Sequence, residues 1–123
     1  MIAEIQISNA LFPSGEAITY KAKADCSHMH FYLPQDLANQ LELKQLEERE
    51  VTIADGSKRL VPYVGPIKIT FKNRSCFTGA MVLGNEVLLG VIPMEDMDLV
   101  IQPSLLKVDV NPESPNIPMS VAM

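Results

Sequence analysis

The sequence predicts a mostly β domain, built as a barrel or sandwich around one short helix. Residues 1–8 and 18–24 each alternate apolar with polar side chains, which is the period of a half-buried strand. Asp55-Gly56 lies between two β-forming stretches and is a strong signal for a tight hairpin. Many short strands at short spacing, with a single helical pattern, are typical of this fold class.

One helix is predicted after the third strand. Pro34 suits a first helical turn, where its missing N–H has no cost, and Leu37, Ala38 and Leu41 share one helical face. The charged segment Leu43–Glu50 is expected to be solvated.

The other segments follow from alternation and from Pro and Gly positions. Turns are expected at residues 12–15 and 73–74, a break at Val64-Gly65-Pro66 and one helical turn at 93–97. The Pro-rich segment after Asn111 is expected to lack regular structure. The predicted strands are residues 1–8, 18–24, 28–33, 51–53, 60–61, 67–71, 76–83, 87–91, 99–101 and 106–110.

Length and composition limit the classes of protein. The 123 residues suit one domain, assigned here to residues 1–116 with a tail at 117–123. A chain that is 47% hydrophobic and 20% charged can form a compact core. The net charge of −5 argues against a nucleic-acid-binding protein, which needs a basic surface.

The same composition bears on compartment. No apolar run approaches the length of a membrane span, so no membrane partner is expected. The N-terminus lacks a basic-then-apolar signal pattern, which predicts a cytoplasmic location. Two cysteines, Cys26 and Cys76, are too few for a disulfide framework and are expected to be reduced.

Asp25 is the main candidate for chemistry because it follows the strand at 18–24, where a turn must begin. A lone Asp before a turn is common, so a purely structural role stays open. Two carboxylates in contact share one proton and can act together as acid and base. Asp55-Gly56-Ser57 lies at a hairpin tip with no buried strand leading into it, so a working site requires Asp25 from two protomers about a two-fold axis.

Four segments stand out in order along the chain: Asp25–Pro34, Ala54-Asp55-Gly56-Ser57, Val61–Pro66 and Val87–Gly90. Val110-Asn111-Pro112 and Ser114-Pro115-Asn116 follow near the C-terminus. Together these segments resemble the retropepsin-like, retroviral-type aspartic peptidases, and the two C-terminal ones are similar to the ends of bacterial members. Their order and spacing, in a likeness that runs from Ile5 to Asn116, carry the resemblance rather than any single motif.

The resemblance implies a closed β-barrel protomer with one short helix that assembles as a homodimer. It implies an endopeptidase that acts on extended peptides or proteins through Asp25, without metal or cofactor. Leu88-Leu89-Gly90 would be the strand beside the catalytic loop, and Ala54-Asp55-Gly56-Ser57 would be the tip of a flap that closes over substrate.

The catalytic loop departs from the family pattern Asp-Thr-Gly or Asp-Ser-Gly at Cys26 and Ser27. The family's middle hydroxyl forms a hydrogen bond across the dimer, and Cys26 is a weak donor in its place. Ser27 replaces a flexible glycine, so it is expected to crowd the attacking water or to require a strained backbone. Two functions stay open: a peptidase, and a catalytically impaired dimer that binds peptides or proteins.

A zinc site is a further alternative. Cys26, His28 and His30 alternate, and on a strand they would share one face beside Asp25. Such tight spacing rarely lets three side chains converge on one ion, so no metal is expected. A nucleophilic Cys26–His28 pair is disfavoured because no third orienting group is evident.

Overall fold

The computed structural model describes residues 1–12 and 15–122 and shows a mostly β architecture. Pro13 and Ser14 of the predicted first turn lie outside the described residues. The helices are α1 (Gln35–Gln40) and α2 (Val91–Asp96), and a 3-10 turn covers Pro103–Leu105. The strands are β1 (Ile2–Asn9), β2 (Ile18–Ala24), β3 (Phe31–Leu33), β4 (Lys44–Thr52), β5 (Lys58–Phe71), β6 (Arg74–Val82), β7 (Leu88–Leu89), β8 (Leu99–Gln102) and β9 (Lys107–Val110).

Six of the strands close into a barrel in the order β1-β2-β7-β3-β6-β5. The ring closes where Gln6–Asn9 of β1 pair antiparallel with Ile67–Thr70 of β5. β4 extends the sheet from β5, outside the ring. The predicted fold class, a mostly β closed barrel with a short helix, is therefore confirmed.

The barrel core comes from the alternation that was visible in the sequence. In β1, Ala3, Ile5 and Ile7 are each no more than 2% exposed, and the side chains between them face outward. The second half of β5 buries Ile67 and Ile69 completely in the same pattern. Burial of each such large aliphatic side chain stabilises the fold by about 1.5–3 kcal/mol.

The charged segment Leu43–Glu50 is exposed, as predicted, but most of it belongs to a strand that the sequence did not indicate. β4 pairs with β5 from Lys44 opposite Gly65 to Thr52 opposite Lys58. Nearly all its side chains are exposed, so no apolar-polar alternation marks it. Charged side chains on such an edge strand also discourage pairing with other chains.

The predicted break at Val64-Gly65-Pro66 is wrong, because β5 continues from Lys58 to Phe71. The pairing of β5 with β6 shifts register between Val64 and Ile67. This irregularity takes Pro66, which has no N–H to donate, out of the regular ladder. The carbonyl of Pro66 still accepts a hydrogen bond from the Ala10 N–H at 3.0 Å.

Two predicted strands are shorter than expected. The strand at 28–33 is limited to Phe31–Leu33, and residues 25–30 form a loop. The strand at 87–91 is limited to Leu88–Leu89, because α2 begins at Val91. Pro93 lies in the first turn of that helix, where a missing N–H is harmless, so the helical segment starts earlier than predicted.

Beyond the barrel, the strands predicted at 99–101 and 106–110 form β8 and β9, which pair antiparallel. The irregular segment that follows is held by side chains of Asn73, Arg74 and Asp98. Arg74 is 1% exposed and donates a hydrogen bond to the Ser114 carbonyl, and Asn73 Nδ2 donates to the Pro115 carbonyl at 2.8 Å. Asp98 accepts a hydrogen bond from the Met119 N–H at 2.9 Å. The domain boundary at residue 116 stays a prediction.

Among residues 1–12 and 15–122, no helix has the length and apolar character needed to cross a lipid bilayer. Both cysteines are free thiols; Cys26 is exposed and Cys76 is buried. Burial raises the pKa of the Cys76 thiol to about 12, so this side chain is an inert part of the core.

Asp109 joins the β8–β9 hairpin to the barrel and yields a pH-dependent prediction. The hydrogen bond from Lys72 Nζ at 2.6 Å, with help from Lys107, lowers the pKa of Asp109 to about 2. The resulting stability is present above the ordinary pKa of about 3.8 and is lost as the pH falls towards 2. Because Lys72 is largely exposed, Asp109→Asn should lower the free energy of unfolding by only about 1 kcal/mol at pH 7.

Urea unfolding at several pH values checks this expectation. The difference from wild type should shrink between pH 4 and pH 2. Glu50→Gln, which removes an exposed pair with Lys58 at 3.7 Å, is the control and should change little. A difference for Asp109→Asn that does not depend on pH would contradict the assignment.

Candidate active site

Asp25 lies at the end of β2, where the short strand β7 runs alongside it. β7 pairs in parallel with β2, Lys23 opposite Leu88 and Ala24 opposite Leu89. The Asp25 N–H donates to the Leu89 carbonyl at 3.1 Å. The structure therefore places Leu88 and Leu89 beside Asp25, which is the arrangement that the resemblance implied; their part in catalysis stays a prediction.

Gly90 passes so close to the loop after Asp25 that no side chain fits. A Cβ at this position would lie 2.3 Å from the His30 carbonyl oxygen and 2.7 Å from that of His28. The contact is closed by hydrogen bonds from the Gly90 N–H to His30 and from the Val91 N–H to His28, each 2.9 Å. The loop is thereby fixed to β7 and to the start of α2.

The Asp25 carboxylate is held by donors from its own loop. Oδ1 accepts from the Ser27 hydroxyl at 2.6 Å and from the Ser27 N–H at 2.8 Å. His28 Nδ1 lies 3.2 Å from Oδ2. The Ser27 donors, with the nearby His28 as a weaker contribution, lower the pKa of Asp25 below its usual range. The carboxylate is about a quarter exposed, so it stays accessible to water.

Cys26 and Ser27, the two residues that differ from the retropepsin pattern, have different surroundings. Ser27 is not among the described residues with positive φ, so the expected backbone strain is wrong. Its hydroxyl folds back onto Asp25. Cys26 is exposed and lies beside Val91 and Leu99 at a shallow surface pocket. Its predicted role in a dimer stays a prediction.

Asp25, Ser27 and His28 do not form a nucleophilic triad. Ser27 Oγ and Asp25 Oδ2 both lie 3.2 Å from the same ring nitrogen, Nδ1 of His28. A triad requires the serine on one imidazole nitrogen and the carboxylate on the other. The cluster therefore stabilises the Asp25 anion and does not activate Ser27.

The zinc alternative assumed that residues 26, 28 and 30 alternate along a strand, and that premise is wrong because they lie in a loop. In the part of the chain that the structure describes, no three His, Cys, Asp or Glu side chains are grouped closely enough to share a metal ion.

Asp55-Gly56-Ser57 forms the tip of the β4–β5 hairpin, as predicted. Gly56 has φ +87°, a conformation that favours glycine. Ala54 and the three residues after it are exposed. Asp55 Oδ1 accepts from the Ser57 hydroxyl at 2.6 Å and from its N–H at 2.8 Å, the same distances as at Asp25 and Ser27. Since these bonds also lower the pKa of Asp55, a lowered pKa does not distinguish Asp25 from Asp55. The two differ in that Asp25 lies beside β7.

The sequence did not indicate that His28 links Asp25 to an adjacent cavity. The rings of His28 and Tyr32 meet edge to face, with centroids 5.5 Å apart. They line a cavity of about 220 Å³ that opens beside the Asp25 loop. The only signal in the sequence was the His three residues after the Asp. The remaining lining residues are Leu83, Gly84, Asn85, Glu86 and Leu88.

Comparison with solved structures identifies the architecture. The crystal structure of the retroviral protease-like domain of Ddi1 from Leishmania major matches with a TM-score of 0.58 and 9% sequence identity. The match covers 91% of this chain and 90% of that chain. This chain has a retropepsin-like fold. No family model and no curated protein matches the sequence, so the comparison supports the fold alone.

Gly90→Ala tests the close approach on which the site is built. The atoms that a Cβ would meet are backbone atoms and cannot move aside, so we expect a loss of about 3 kcal/mol in unfolding free energy. Gly84→Ala is the control: its φ of +74° disfavours alanine, but its surroundings are open, so about 1 kcal/mol is expected. Equal losses in chemical denaturation would contradict a steric role for Gly90.

Ser27→Ala tests the cause of the lowered Asp25 pKa. Removal of the hydroxyl donor should raise this pKa towards the ordinary value, as followed by carbon NMR of the Asp25 carboxyl group during titration. The matched variant Ser57→Ala should raise only the pKa of Asp55. An unchanged Asp25 pKa in Ser27→Ala would show that the hydrogen bond is not the cause.

Proposed function

We propose that this protein is an aspartic endopeptidase that works as a homodimer, with one Asp25 from each protomer. The observation that carries the proposal is the position of Asp25. Its carboxylate is accessible at the end of β2, and its N–H is hydrogen-bonded to the Leu89 carbonyl of β7. The domain that carries it has a retropepsin-like fold.

A single protomer supplies one such carboxylate, whereas the reaction uses two. One ionised carboxylate takes a proton from water as the water oxygen bonds to the scissile carbonyl carbon. The other carboxyl group, which is protonated, gives its proton to the carbonyl oxygen. The carbon–nitrogen bond then breaks as the first carboxyl group gives the leaving amine the proton that it took from water. One hydroxyl of the tetrahedral intermediate returns its proton to the second carboxylate, which restores the starting state. Since like charges in contact do not both ionise readily, the pair shares one proton. Because each protomer supplies one such carboxylate, the proposed pair lies at a two-fold axis.

The β4–β5 hairpin supports an extended peptide as substrate. In the proposed dimer its tip, Ala54–Ser57, acts as the flap that covers the peptide, and strand-like hydrogen bonds hold the peptide backbone. The exposure of this tip suits a segment that closes only over substrate.

A second function, a peptide- or protein-binding dimer with impaired catalysis, is favoured by the contacts of Asp25. Oδ1 already accepts two hydrogen bonds from Ser27, and Oδ2 faces His28. These contacts favour the anion, so they oppose the proton sharing that hydrolysis needs. Such a dimer would keep peptide binding and lose most of the turnover.

Peptide cleavage across pH distinguishes the two functions. We expect slow cleavage of a mixed peptide library by wild type, followed by mass spectrometry. Cys26→Thr with Ser27→Gly should raise the rate, because a bridging hydroxyl is restored and the Ser27 hydroxyl no longer binds Oδ1. The gain should be largest at mildly acidic pH, where the pair shares one proton. Addition of Asp25→Asn should abolish it.

Sedimentation of wild type and of each variant is the companion measurement, and each protein should sediment at twice the chain mass. A wild-type monomer would eliminate the paired-Asp25 mechanism. Cleavage that survives Asp25→Asn would place the chemistry elsewhere. A correctly folded double variant without any gain would favour the binding function.

A further inference from the structure

Two register irregularities lie near the base of the β4–β5 hairpin, one in the pairing of β4 with β5 and one in the pairing of β5 with β6. In β4 the irregularity falls between Gln45 and Glu47, at Leu46. In β5 it falls between Val64 and Ile67, at Gly65-Pro66. The pairs Lys44–Gly65 and Gln45–Val64 join the two irregular points across the hairpin.

The end of the pairing between β5 and β6 separates a supported base from a projecting arm. Tyr63 is the last β5 residue towards the tip that pairs with β6, opposite Met81. Residues 58–62 of β5 pair only with β4 in the described structure. We call residues 47–62 the arm. A two-stranded ribbon is marginally stable alone, so its position depends on side chains buried near its base, of which Val61 is one.

Tyr63 makes the central contact at that base. Its phenol end lies directly over Gly79 of β6, where a Cβ would be 2.3 Å from the Tyr63 Cζ and 2.5 Å from its hydroxyl oxygen. Only glycine leaves room for the ring in this position. Tyr63 is half-buried there.

Arg49 holds the same ring from within the arm. Its guanidinium carbon lies 3.8 Å from the centroid of the Tyr63 ring, close enough for a cation–π contact. Arg49 also pairs with Glu47 at 3.4 Å, an exposed contact within β4. The Tyr63 ring thus connects the first residues of the arm to the barrel wall at Gly79.

We propose that Tyr63 is the positioning residue of the arm: its ring packs on Gly79 and is held by the cation–π contact with Arg49. The stack sets the angle at which the arm leaves the barrel wall at β6, and the bulge at Leu46 lies next to the base of the arm. The proposal rests on the proposed function in one respect: it assigns the arm the task of covering a bound peptide.

Hydrogen exchange of the full-length protein tests the proposal without requiring cleavage. Arg49→Gln and Tyr63→Leu should each make exchange in residues 47–62 about fivefold faster, the effect expected from the loss of a cation–π contact of about 1 kcal/mol. Residues 67–71 of the barrel should keep wild-type exchange. Tyr63→Phe, which retains the ring, should restore protection of the arm.

Two matched variants separate the stack from general effects of charge in the arm. Glu47→Gln removes the ion pair of Arg49 and keeps the stack, and Lys58→Gln removes the pair with Glu50 near the tip. Neither should change exchange in the arm. Gly79→Ala displaces the ring and should act as Tyr63→Leu does; if it fails to fold, Arg49→Gln still decides the matter.

Steady-state kinetics distinguish a role in covering the substrate from a purely structural role. With a peptide found in the cleavage assay, Arg49→Gln should raise KM about fivefold and leave kcat nearly unchanged, because fewer molecules hold the closed arm.

Unchanged arm exchange in Arg49→Gln and Tyr63→Leu would overturn the proposal, as would equal loosening of residues 67–71. If exchange responds as expected while no variant shows Asp25-dependent cleavage, the proposed peptidase function fails and the positioning role of Tyr63 stands. If cleavage depends on Asp25 but exchange in the arm does not respond, only the positioning role of Tyr63 fails.

Discussion

The structure depends on two residues of β7 that form hydrogen-bonded pairs on both sides. Leu88 and Leu89 lie parallel to β2 and antiparallel to β3, so they complete the barrel and also fix the start of the Asp25 loop. Gly90 then allows the backbone to pass under His28 and His30. Because unpaired buried backbone groups are costly, the loop cannot shift without opening the barrel wall. Rigidity at the candidate site thus follows from closure of the fold.

Within that fixed loop, two electrostatic effects compete at Asp25. The donors of Ser27 favour the anion and act in the isolated protomer. A second Asp25 at a two-fold axis would act in the opposite sense and favour a shared proton. Ser27, one of the two residues that differ from the Asp-Thr-Gly or Asp-Ser-Gly pattern, is therefore the main stabiliser of the Asp25 anion in the protomer. It acts through hydrogen bonding, since its backbone carries none of the strain that the substitution suggested.

Much of the fold was predictable because apolar alternation and turn residues record burial directly. β1, β2, the second half of β5 and the hairpin at Asp55-Gly56 all carry that record. β4 carries none, because both of its faces meet water. Pro66 suggested a break because its tolerance depends on a register shift between strands, which is a property of the pairing.

At the site, the order of motifs predicted that Leu88-Leu89-Gly90 would lie near Asp25, and the structure shows this arrangement. The contact between His28 and Asp25 and the fit of Tyr63 over Gly79 depend on three-dimensional positions of side chains. Residue spacing alone does not encode them. A glycine in the middle of β6 was the one trace of the second contact in the sequence.

The buried guanidinium of Arg74 has a consequence for how the chain can be shortened. Charged groups removed from water need partners, and Arg74 donates to the carbonyl and hydroxyl oxygens of Ser114. A chain cut after Val110 would retain every strand of the barrel yet leave this cation without those oxygens. The segment after the last strand is therefore part of the folded unit, because it supplies the oxygens that the Arg74 guanidinium contacts.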